Sequence, residues 1–385
     1  MKSSAQFQKV VDFVKSQFPN KDFVSLHEPV FLGNERKYVL DAIDSTFVSS
    51  VGAYVNQFED MMTDITGAEY AIAMVNGTNA LHMALLLAEV QQHDEVLSQA
   101  LTFIATANAI SYVGAAPVFI DVDRETLGMC PKALRNFLSL NAERRSNGHS
   151  YNKNSGKKIT ACVPMHTFGI PCRIDEIAAI CKEWNIVLVE DSAESLGSYY
   201  KEQHTGTFGK LGVFSFNGNK TVTCGGGGAI ITNDEALAKR AKHLTTQAKV
   251  AHKWEFVHDE IGYNYRMPNL NAALACAQLE QLDLFVTNKR ELADHYINFA
   301  TENGFSFIVE PKGTKANYWL NAFVLEDLKE RNDFLEYTNA NGVMTRPIWE
   351  LMNRLPMFKD CETDSLANSI WLADRVVNVP SGFRV

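Results

Sequence analysis

Blocks of apolar residues alternate with stretches of helical periodicity from about residue 67 onward. We predict helices at 79–90, 104–113 and 174–184, and strands at 70–75, 95–100, 117–122, 160–165 and 186–190. This alternation is typical of the α/β class, in which helices cover both faces of a mostly parallel sheet. Ligands bind beyond the carboxyl ends of such strands. We expect Asn76, Asp191 and Ser215 at or near those ends, so three separate segments should converge on one site.

Other parts of the chain have different patterns. Residues 1–21 read as an amphipathic helix, and residues 140–158 are polar enough to suggest an exposed loop or insertion. Residues 269–299 read as one long helix, followed by mixed strands and helices. A chain of 385 residues exceeds one ordinary core. We therefore predict a large domain over 1–260, which includes the N-terminal helical segment, and a smaller C-terminal α/β domain over 261–385.

Composition narrows the function classes. A net charge of −9 without a long basic block argues against a nucleic-acid binder. No apolar run approaches the roughly 20 residues that span a bilayer, and the first residues mix charged and apolar positions, unlike a secretion signal. The seven cysteines are scattered without a C-x-x-C pair, which favours reduced thiols over structural zinc. We expect a cytoplasmic enzyme without a metal site or a membrane segment.

Lys220 stands in the most informative local pattern. An apolar run over 212–216 leads into a polar turn that carries this lysine, and four glycines follow at 225–228. A lysine on a tight, partly desolvated turn can lose its proton and form a Schiff base with an aldehyde. Asp191 closes a strand about thirty residues upstream. This pair predicts a catalytic site for pyridoxal 5′-phosphate (PLP), which needs a lysine for its aldehyde and an acid beside its ring nitrogen.

Two further segments could serve such a cofactor. Residues 76–79 pass from a strand end into a helix, where exposed N–H groups and the Thr78 hydroxyl suit a phosphate, although an ordinary helix cap has the same pattern. The presence of Ser215 and Lys220 favours the phosphate. Glu194 could meet the 3′-oxygen of the cofactor or could cap a helix. Phe103 could stack on a ring or simply lie in the core.

The glycines at 225–228 precede an apolar strand-like run and form no G-x-G-x-x-G, so we exclude a Rossmann dinucleotide site. A basic stretch could be a solvated helix face or could bind an anionic diphosphate. It comprises Lys239, Arg240, Lys242, Lys249 and Lys253. We interpret His27 and His166 as structural residues. Arg346, in a Thr-Arg-Pro turn, could bind a carboxylate or a phosphate.

Four segments together resemble the DegT–DnrJ–StrS family of PLP-dependent sugar aminotransferases. They are NGTNALHMAL, EDSAESLGS, FSFNGNKTVTCGGGGAI and GYNYRMPNLNAA, and their order and spacing match over nearly the whole chain. The resemblance implies fold type I, with a seven-stranded large domain, a smaller C-terminal domain and a homodimer that shares its active sites between subunits.

The resemblance also implies residue roles. Lys220 matches the Schiff-base lysine, and Asp191 matches the acid beside the pyridine nitrogen. The phosphate site matches Gly77, Thr78 and Ser215, and Phe103 matches the aromatic residue under the ring. Asn264 matches the asparagine that reaches the phosphate of the other subunit's cofactor.

Two positions depart from many members of the family. Glu194 stands where they carry Gln or His, and Gly226 stands where they carry Glu. Both resemble the branch that aminates the 4-keto carbon of UDP-linked 6-deoxy sugars, with glutamate as the expected donor, and Ser49 and Ser50 would then border the substrate pocket. A dehydratase of the same fold and a non-catalytic regulator remain as alternatives, although Lys220 argues against both.

Overall fold

The computed structural model describes residue 2 and residues 4–384. The helices are α1 (Ser4–Gln17), α2 (Glu35–Asp44), α3 (Ala53–Thr66), α4 (Gly77–Leu87), α5 (Ile104–Tyr112), α6 (Pro131–Asn141), α7 (Ile174–Glu183), α8 (Glu235–Thr245), α9 (Asn269–Leu279), α10 (Leu282–Asn303), α11 (Leu328–Ala340) and α12 (Ala367–Ala373). The strands are β1 (Tyr70–Met74), β2 (Glu95–Gln99), β3 (Ala116–Ile120), β4 (Ala142–Arg144), β5 (Ser150–Asn152), β6 (Lys158–Val163), β7 (Val187–Asp191), β8 (Tyr199–Tyr200), β9 (Gln203–His204), β10 (Leu211–Ser215), β11 (Gly228–Thr232), β12 (Lys249–Val250), β13 (Val257–His258), β14 (Ser306–Phe307), β15 (Thr314–Lys315), β16 (Asn321–Val324), β17 (Arg346–Pro347) and β18 (Val376–Val379).

The central sheet has the strand order β1-β11-β10-β7-β6-β2-β3. The neighbours from β10 to β3 are parallel, whereas β11 runs antiparallel to both β1 and β10. The α/β prediction and the seven strands of this path are therefore confirmed, with β11 making the sheet mixed. Because four strands in a row are joined by helices, their carboxyl ends lie at one edge, where ligands bind in this architecture.

Helices cover both faces of the sheet because its side chains alternate. Along β1, Ile72 and Met74 pack in one core with α4, α5 and α8, whereas Ala71 and Ala73 pack in a second core with α3 and α9. A third core lies beneath α6 and α7. These apolar layers hold the strand ends rigidly enough to position polar side chains.

Two sequence expectations were wrong. Residues 140–158 are not simply a loop, since β4 and β5 form a hairpin whose second strand pairs with β6. The long helix expected over 269–299 is broken between α9 and α10. At the break, Glu280 accepts hydrogen bonds from Asn34 Nδ2 (2.8 Å) and Tyr38 Oη (2.5 Å). The break therefore lies where the chain after α9 contacts the α2 region.

The C-terminal part contains a second sheet, in the order β14-β16-β18-β17. The amphipathic helix predicted near the N-terminus is present as α1, and it packs its Phe7 and Val10 into the same core as Phe323 and Phe334. The boundary near residue 260 remains a prediction. Among the described helices, none is both long and apolar enough to cross a membrane.

Candidate active site

A cavity of about 390 Å³ opens at the carboxyl end of the central sheet. It brings together eight residues that the sequence singled out, together with residues from the C-terminal part of the chain. Those eight are Asn76, Gly77, Thr78, Phe103, Asp191, Glu194, Ser215 and Lys220. Segments separated by more than a hundred residues therefore converge on one site, as expected from the strand ends.

Asp191 ends β7 and is buried at the bottom of the cavity. Thr106 Oγ1 donates a hydrogen bond to its Oδ2 (2.6 Å), and the Ala193 N–H donates to its Oδ1 (3.2 Å). Burial raises the pKa of Asp191, and the Thr106 hydroxyl opposes that rise. A cationic group placed against this carboxylate would offset the cost of its burial.

Lys220 lies on a loop that two backbone hydrogen bonds close at its base. The N–H of Cys224 donates to Phe216 O (3.0 Å), and the N–H of Phe216 donates to Gly227 O (2.9 Å). The Lys220 side chain is only 12% exposed. Its Nζ lies 3.4 Å from Glu194 Oε1 and 4.0 Å from the centroid of the Trp319 ring. The amine is therefore held in a largely dry site between a carboxylate and an aromatic face.

Glu194 is almost completely buried, with 1% of its side chain exposed. The Phe168 N–H donates to its Oε2 (2.9 Å), so one oxygen is fixed by the backbone while the other faces Lys220. Burial raises the pKa of Glu194 to about 7, against the lowering effect of Lys220. This carboxyl can therefore carry or release a proton near neutral pH.

Close backbone packing forms the other end of the cavity, where α4 begins at Gly77. A Cβ at Gly77 would lie 2.8 Å from Ser215 Cβ, and a Cβ at Gly228 would lie 2.5 Å from the Asn76 carbonyl carbon. Only glycine leaves room for the helix start and the end of β10 to meet. Asn76 caps α4 by accepting a hydrogen bond from the Asn79 N–H (2.8 Å). The cap and the phosphate interpretation are compatible, because other groups at the helix start still line the cavity.

Aromatic rings line the open side of the cavity. Phe103 precedes α5 and is 46% exposed, so it is not a core residue. Its ring contacts Trp349 edge to face, with centroids 6.2 Å apart. An exposed aromatic face next to a buried acid and an amine suits a planar heteroaromatic ligand.

The remaining candidate residues lie outside this cavity. Asn264 is exposed and pairs with Thr246 in a β-bridge. Ser50 lines a different cavity of about 570 Å³ beside Arg266, and the Ser49 carbonyl accepts a hydrogen bond from the Asn269 N–H (2.6 Å). Two further candidates are exposed, Lys249 on β12 and Arg346 on β17. Their predicted roles in binding the substrate or the partner's cofactor remain predictions.

The basic stretch is largely neutralised by neighbouring carboxylates. Lys239 pairs with Glu235 (2.8 Å), and Lys242 pairs with Glu59 (2.9 Å). Arg240 pairs with Glu260. Lys249 and Lys253 instead contact the rings of Phe256 and Trp254. Of this stretch, they are the better candidates for binding an anion.

His166 and His27 both lie behind the site. The Cys172 N–H donates to His166 Nδ1 (3.2 Å), which places the ring proton on Nε2, 3.0 Å from Glu190 Oε2. His27 is buried next to Lys220 and Lys289, and burial together with these lysines lowers its pKa well below the usual value. Both contacts agree with the structural interpretation of these histidines.

Sequence reasoning missed several residues in and around the cavity. Thr106, in the first turn of α5, gave no sequence signal for its hydrogen bond to Asp191. Trp319 and Trp349 come from the C-terminal part of the chain, and no local pattern tied them to Lys220. Asn317 was left unassigned. It donates to the carbonyls of Glu194 and Leu196 (both 2.9 Å) and so joins the C-terminal part to the site.

Comparison with known proteins shows the family of the chain. Residues 32–385 match the DegT/DnrJ/EryC1/StrS aminotransferase family. The chain belongs to this family. It is 35% identical over 364 residues to the GDP-perosamine synthase of Escherichia coli O157:H7, covering 93% of both chains. It is 34% identical over 366 residues to EpsN of Bacillus subtilis (strain 168), provisionally named a pyridoxal phosphate-dependent aminotransferase, covering 93% of this chain and 91% of EpsN.

A solved structure shows the same fold. The aminotransferase TlmJ from Streptoalloteichus hindustanus superimposes with a TM-score of 0.84 at 26% identity, covering 93% of both chains. The protein is therefore a PLP-dependent sugar aminotransferase. Its cavity fits that cofactor, because the buried Asp191 carboxylate forms no ion pair within the described part of the chain and a protonated ring nitrogen would supply one. The glycines at 77 and 228 keep side chains away from the end where a phosphate would lie.

Proposed function

We propose that this aminotransferase transfers an amino group from glutamate to the 4-keto carbon of a nucleotide-linked 6-deoxy sugar. The product would be an amino sugar for bacterial surface glycans. The observation that carries the proposal is the meeting of Lys220, Asp191 and Glu194 in one largely dry cavity, in a chain whose relatives make amino sugars. When bound, PLP supplies an aldehyde that exchanges amines and a ring that withdraws electrons.

Lys220 would hold the cofactor covalently and, once released, would move the proton. Its Nζ would take a proton from the α-carbon of the amino donor and deliver it to the carbon of the cofactor's aldehyde group, acting as a general base and then as a general acid. The short loop closed at Phe216 keeps the amine over the cavity in both states. Its position between Glu194 and Trp319 limits the motion of the free side chain.

Asp191 would keep the ring nitrogen protonated. The hydroxyl of Thr106 and the N–H of Ala193 each bind one of its oxygens, so the carboxylate is oriented before any ligand arrives. Such preorganisation avoids the cost of reorienting dipoles during the reaction. Phe103 would pack against one face of the ring.

Thr78, Ser215 and the start of α4 would bind the phosphate. The helix N-terminus carries partial positive charge and exposed N–H groups, both of which favour an anion. Glu194 is placed to meet the 3′-oxygen, and a carboxyl that can keep its proton near neutral pH can donate a hydrogen bond there.

The resemblance alone implies a UDP-linked sugar. Two relatives named GDP-perosamine synthase, which match 93% of this chain at 34–35% identity, favour GDP instead. We therefore propose a GDP-linked sugar as the first substrate to test, followed by the UDP-linked sugar.

We also propose that the enzyme works in the cytoplasm as a homodimer with shared active sites. Asn264 would then reach the phosphate site of the partner subunit, since it is exposed and lies outside the cavity of its own chain. Ser50 and Arg266 would border the sugar from the second cavity. Lys249 and Arg346 are the exposed cations left for the diphosphate and a carboxylate.

A labelling experiment tests the reaction. The purified enzyme is incubated with ¹⁵N-glutamate and with GDP-, UDP- and dTDP-linked 4-keto-6-deoxy sugars, and the products are identified by mass spectrometry and NMR. The proposal predicts ¹⁵N at C4 of one sugar and an equal amount of 2-oxoglutarate. Loss of a hydroxyl without incorporation of label would indicate a dehydratase. A protein that binds PLP but converts no sugar and no glutamate would contradict the proposal.

A further inference from the structure

Trp319 makes an unusual contact with the amine of Lys220. The Lys220 Nζ lies 4.0 Å from the centroid of the indole ring, and Glu194 Oε1 lies 3.4 Å from the same atom. Trp319 is itself only 4% exposed, so the contact is shielded from water. A cation over the face of a tryptophan is attracted by the ring quadrupole, and the attraction grows when water is excluded.

Trp319 is held in place by three hydrogen bonds, one from its ring and two from its backbone. Its Nε1 donates to Asn219 O (2.6 Å), next to Lys220 in sequence, and its backbone N–H donates to Asn317 Oδ1 (2.8 Å). Its carbonyl accepts from the Nζ of the buried Lys289 (3.3 Å). Trp319 therefore has little freedom to turn its face away from Lys220.

The backbone before Trp319 is also constrained. Tyr318 has a φ of +48°, a conformation that is costly for a residue with a side chain and persists only where its surroundings enforce it. The Asn317 side chain donates to the Glu194 carbonyl (2.9 Å) and also accepts the hydrogen bond from the Trp319 N–H. It therefore fixes both residues that contact the Lys220 amine. At Gly169 a Cβ would lie 1.8 Å from Asn317 Oδ1, so only glycine leaves room for the Asn317 side chain in this position.

We propose that Trp319 is a positioning residue for proton transfer, holding the protonated Lys220 Nζ against its indole face. The inference rests on the proposed role of Lys220 as the base. After Lys220 has taken a proton from the amino donor, it carries a positive charge in a site with little water. The ring stabilises that charge but cannot accept the proton, so the proton stays on Nζ until it is returned to carbon.

Other charged groups also face Lys220. Glu194 and Asp191 are the acids whose electrostatics include this lysine, and the buried His27 is the titratable base. The test must therefore change the aromatic face while leaving these three groups in place.

Two substitutions at Trp319 distinguish the effect of the aromatic face from the effect of side-chain size. Trp319→Met removes the ring, whereas Trp319→Phe keeps a smaller ring and removes the indole N–H. We expect Trp319→Met to lower kcat by about 5- to 30-fold with little change in the KM for glutamate. Trp319→Phe should lose less than about 3-fold. Equal losses in the two variants would show that the indole hydrogen bond or the volume matters, and would overturn the inference.

The rate of PLP attachment is a second measurement, and we expect Trp319→Met to raise this rate although it lowers kcat. Attachment of PLP to cofactor-free protein needs the neutral amine, so a face that stabilises the ammonium slows attachment. At pH 7 we expect Trp319→Met to attach PLP about 3- to 10-fold faster than wild type, as measured by the absorbance of the bound cofactor. A merely structural role would slow both attachment and turnover. Unchanged or slower attachment would overturn the inference.

Fluorinated tryptophan covers the case in which Trp319→Met fails to fold. Fluorination weakens the negative face of the ring with little change in size, and the chain has five tryptophans. Difluorotryptophan should lower kcat about 2- to 4-fold in wild type but not in the Trp319→Phe background. An equal effect in both backgrounds would overturn the inference.

Borohydride labelling of Lys220 in wild type distinguishes the two proposals, because its absence would contradict the proposed function itself.

Discussion

Charged residues cluster in two regions of this protein, and the two clusters differ in burial and in how the charges are paired. In the cavity at the sheet edge, Asp191, Glu194 and Lys220 are buried and come from distant parts of the chain. On α8 and the β12–β13 hairpin, the basic residues are mostly exposed and largely paired with nearby carboxylates. Buried charges with few, fixed partners can act on a reacting group, whereas exposed pairs are screened by water and salt. The chemistry is therefore expected only in the first region.

Lys220→Arg should have the largest effect. Arginine keeps the charge but cannot release a proton or hold an aldehyde, so we expect turnover to fall by at least about 10³-fold. The cofactor's absorbance should no longer show covalent attachment. Lys210→Arg, a matched change at an exposed lysine, should leave both unchanged. An active Lys220→Arg enzyme would remove the basis for the comparison of the two regions.

Asp191→Asn should have the next largest effect. The amide cannot stabilise a protonated ring nitrogen, and we expect the single-turnover rate with glutamate to fall by about 10²- to 10⁴-fold. Thr106→Val, which removes the hydrogen bond to Asp191 together with a 3.2 Å contact to the Thr102 hydroxyl, should lose about 3- to 30-fold. If Asp191→Asn reacts at the wild-type rate, the acid has no role at the ring.

Glu194→Gln should change how stability depends on pH. Burial raises the pKa of Glu194 to about 7 from a value of 4.5 in the unfolded chain. Between these values the folded protein keeps a proton that the unfolded chain has released, so the wild type loses stability as the pH rises through this window. Glutamine has no carboxyl to titrate, so the Glu194→Gln variant does not lose stability in this way.

Urea unfolding of the cofactor-free proteins at several pH values measures this effect. We expect the difference in unfolding free energy to shift in favour of Glu194→Gln by about 1–3 kcal/mol between pH 4.5 and pH 7.5. Glu235→Gln, at an exposed position of α8, serves as the control and should show no such shift. Parallel curves for Glu194→Gln and wild type would show that folding does not raise the pKa of this carboxyl.

Lys249→Met should have the smallest effect, since it tests the exposed region. If Lys249 binds the diphosphate, the KM for the nucleotide sugar should rise about 2- to 5-fold at low salt and less at high salt, with kcat unchanged. Lys239→Met, which removes a lysine already paired with Glu235, should change neither value. Identical kinetics for Lys249→Met and wild type would exclude this lysine from substrate binding.

The sequence predicted those parts of the site that depend on local pattern. A strand that ends in Asp191, a lysine turn before four glycines and a strand that enters a helix at Gly77 are all local features. The sheet architecture then dictates that they meet, because parallel strands share one carboxyl edge. Their convergence on one cavity could therefore be predicted without coordinates.

The parts that could not be predicted depend on tertiary packing. Trp319 contacts Lys220 although the two residues are about a hundred positions apart in the sequence. The hydrogen bonds of Asn317 that hold this part of the chain at the site leave no periodic pattern in the sequence. The break between α9 and α10 coincides with tertiary contacts of Glu280 with the α2 region. The hairpin within 140–158 was missed because its strands are only three residues long and polar.

Reduction with borohydride followed by peptide mapping tests the central claim most directly. Borohydride converts a covalent link between PLP and a lysine into a stable amine, which mass spectrometry can locate. The account predicts one pyridoxyl group per chain, on Lys220, and none on Lys289, which is more deeply buried. A label on another lysine, or none on a protein that contains the cofactor, would contradict the account.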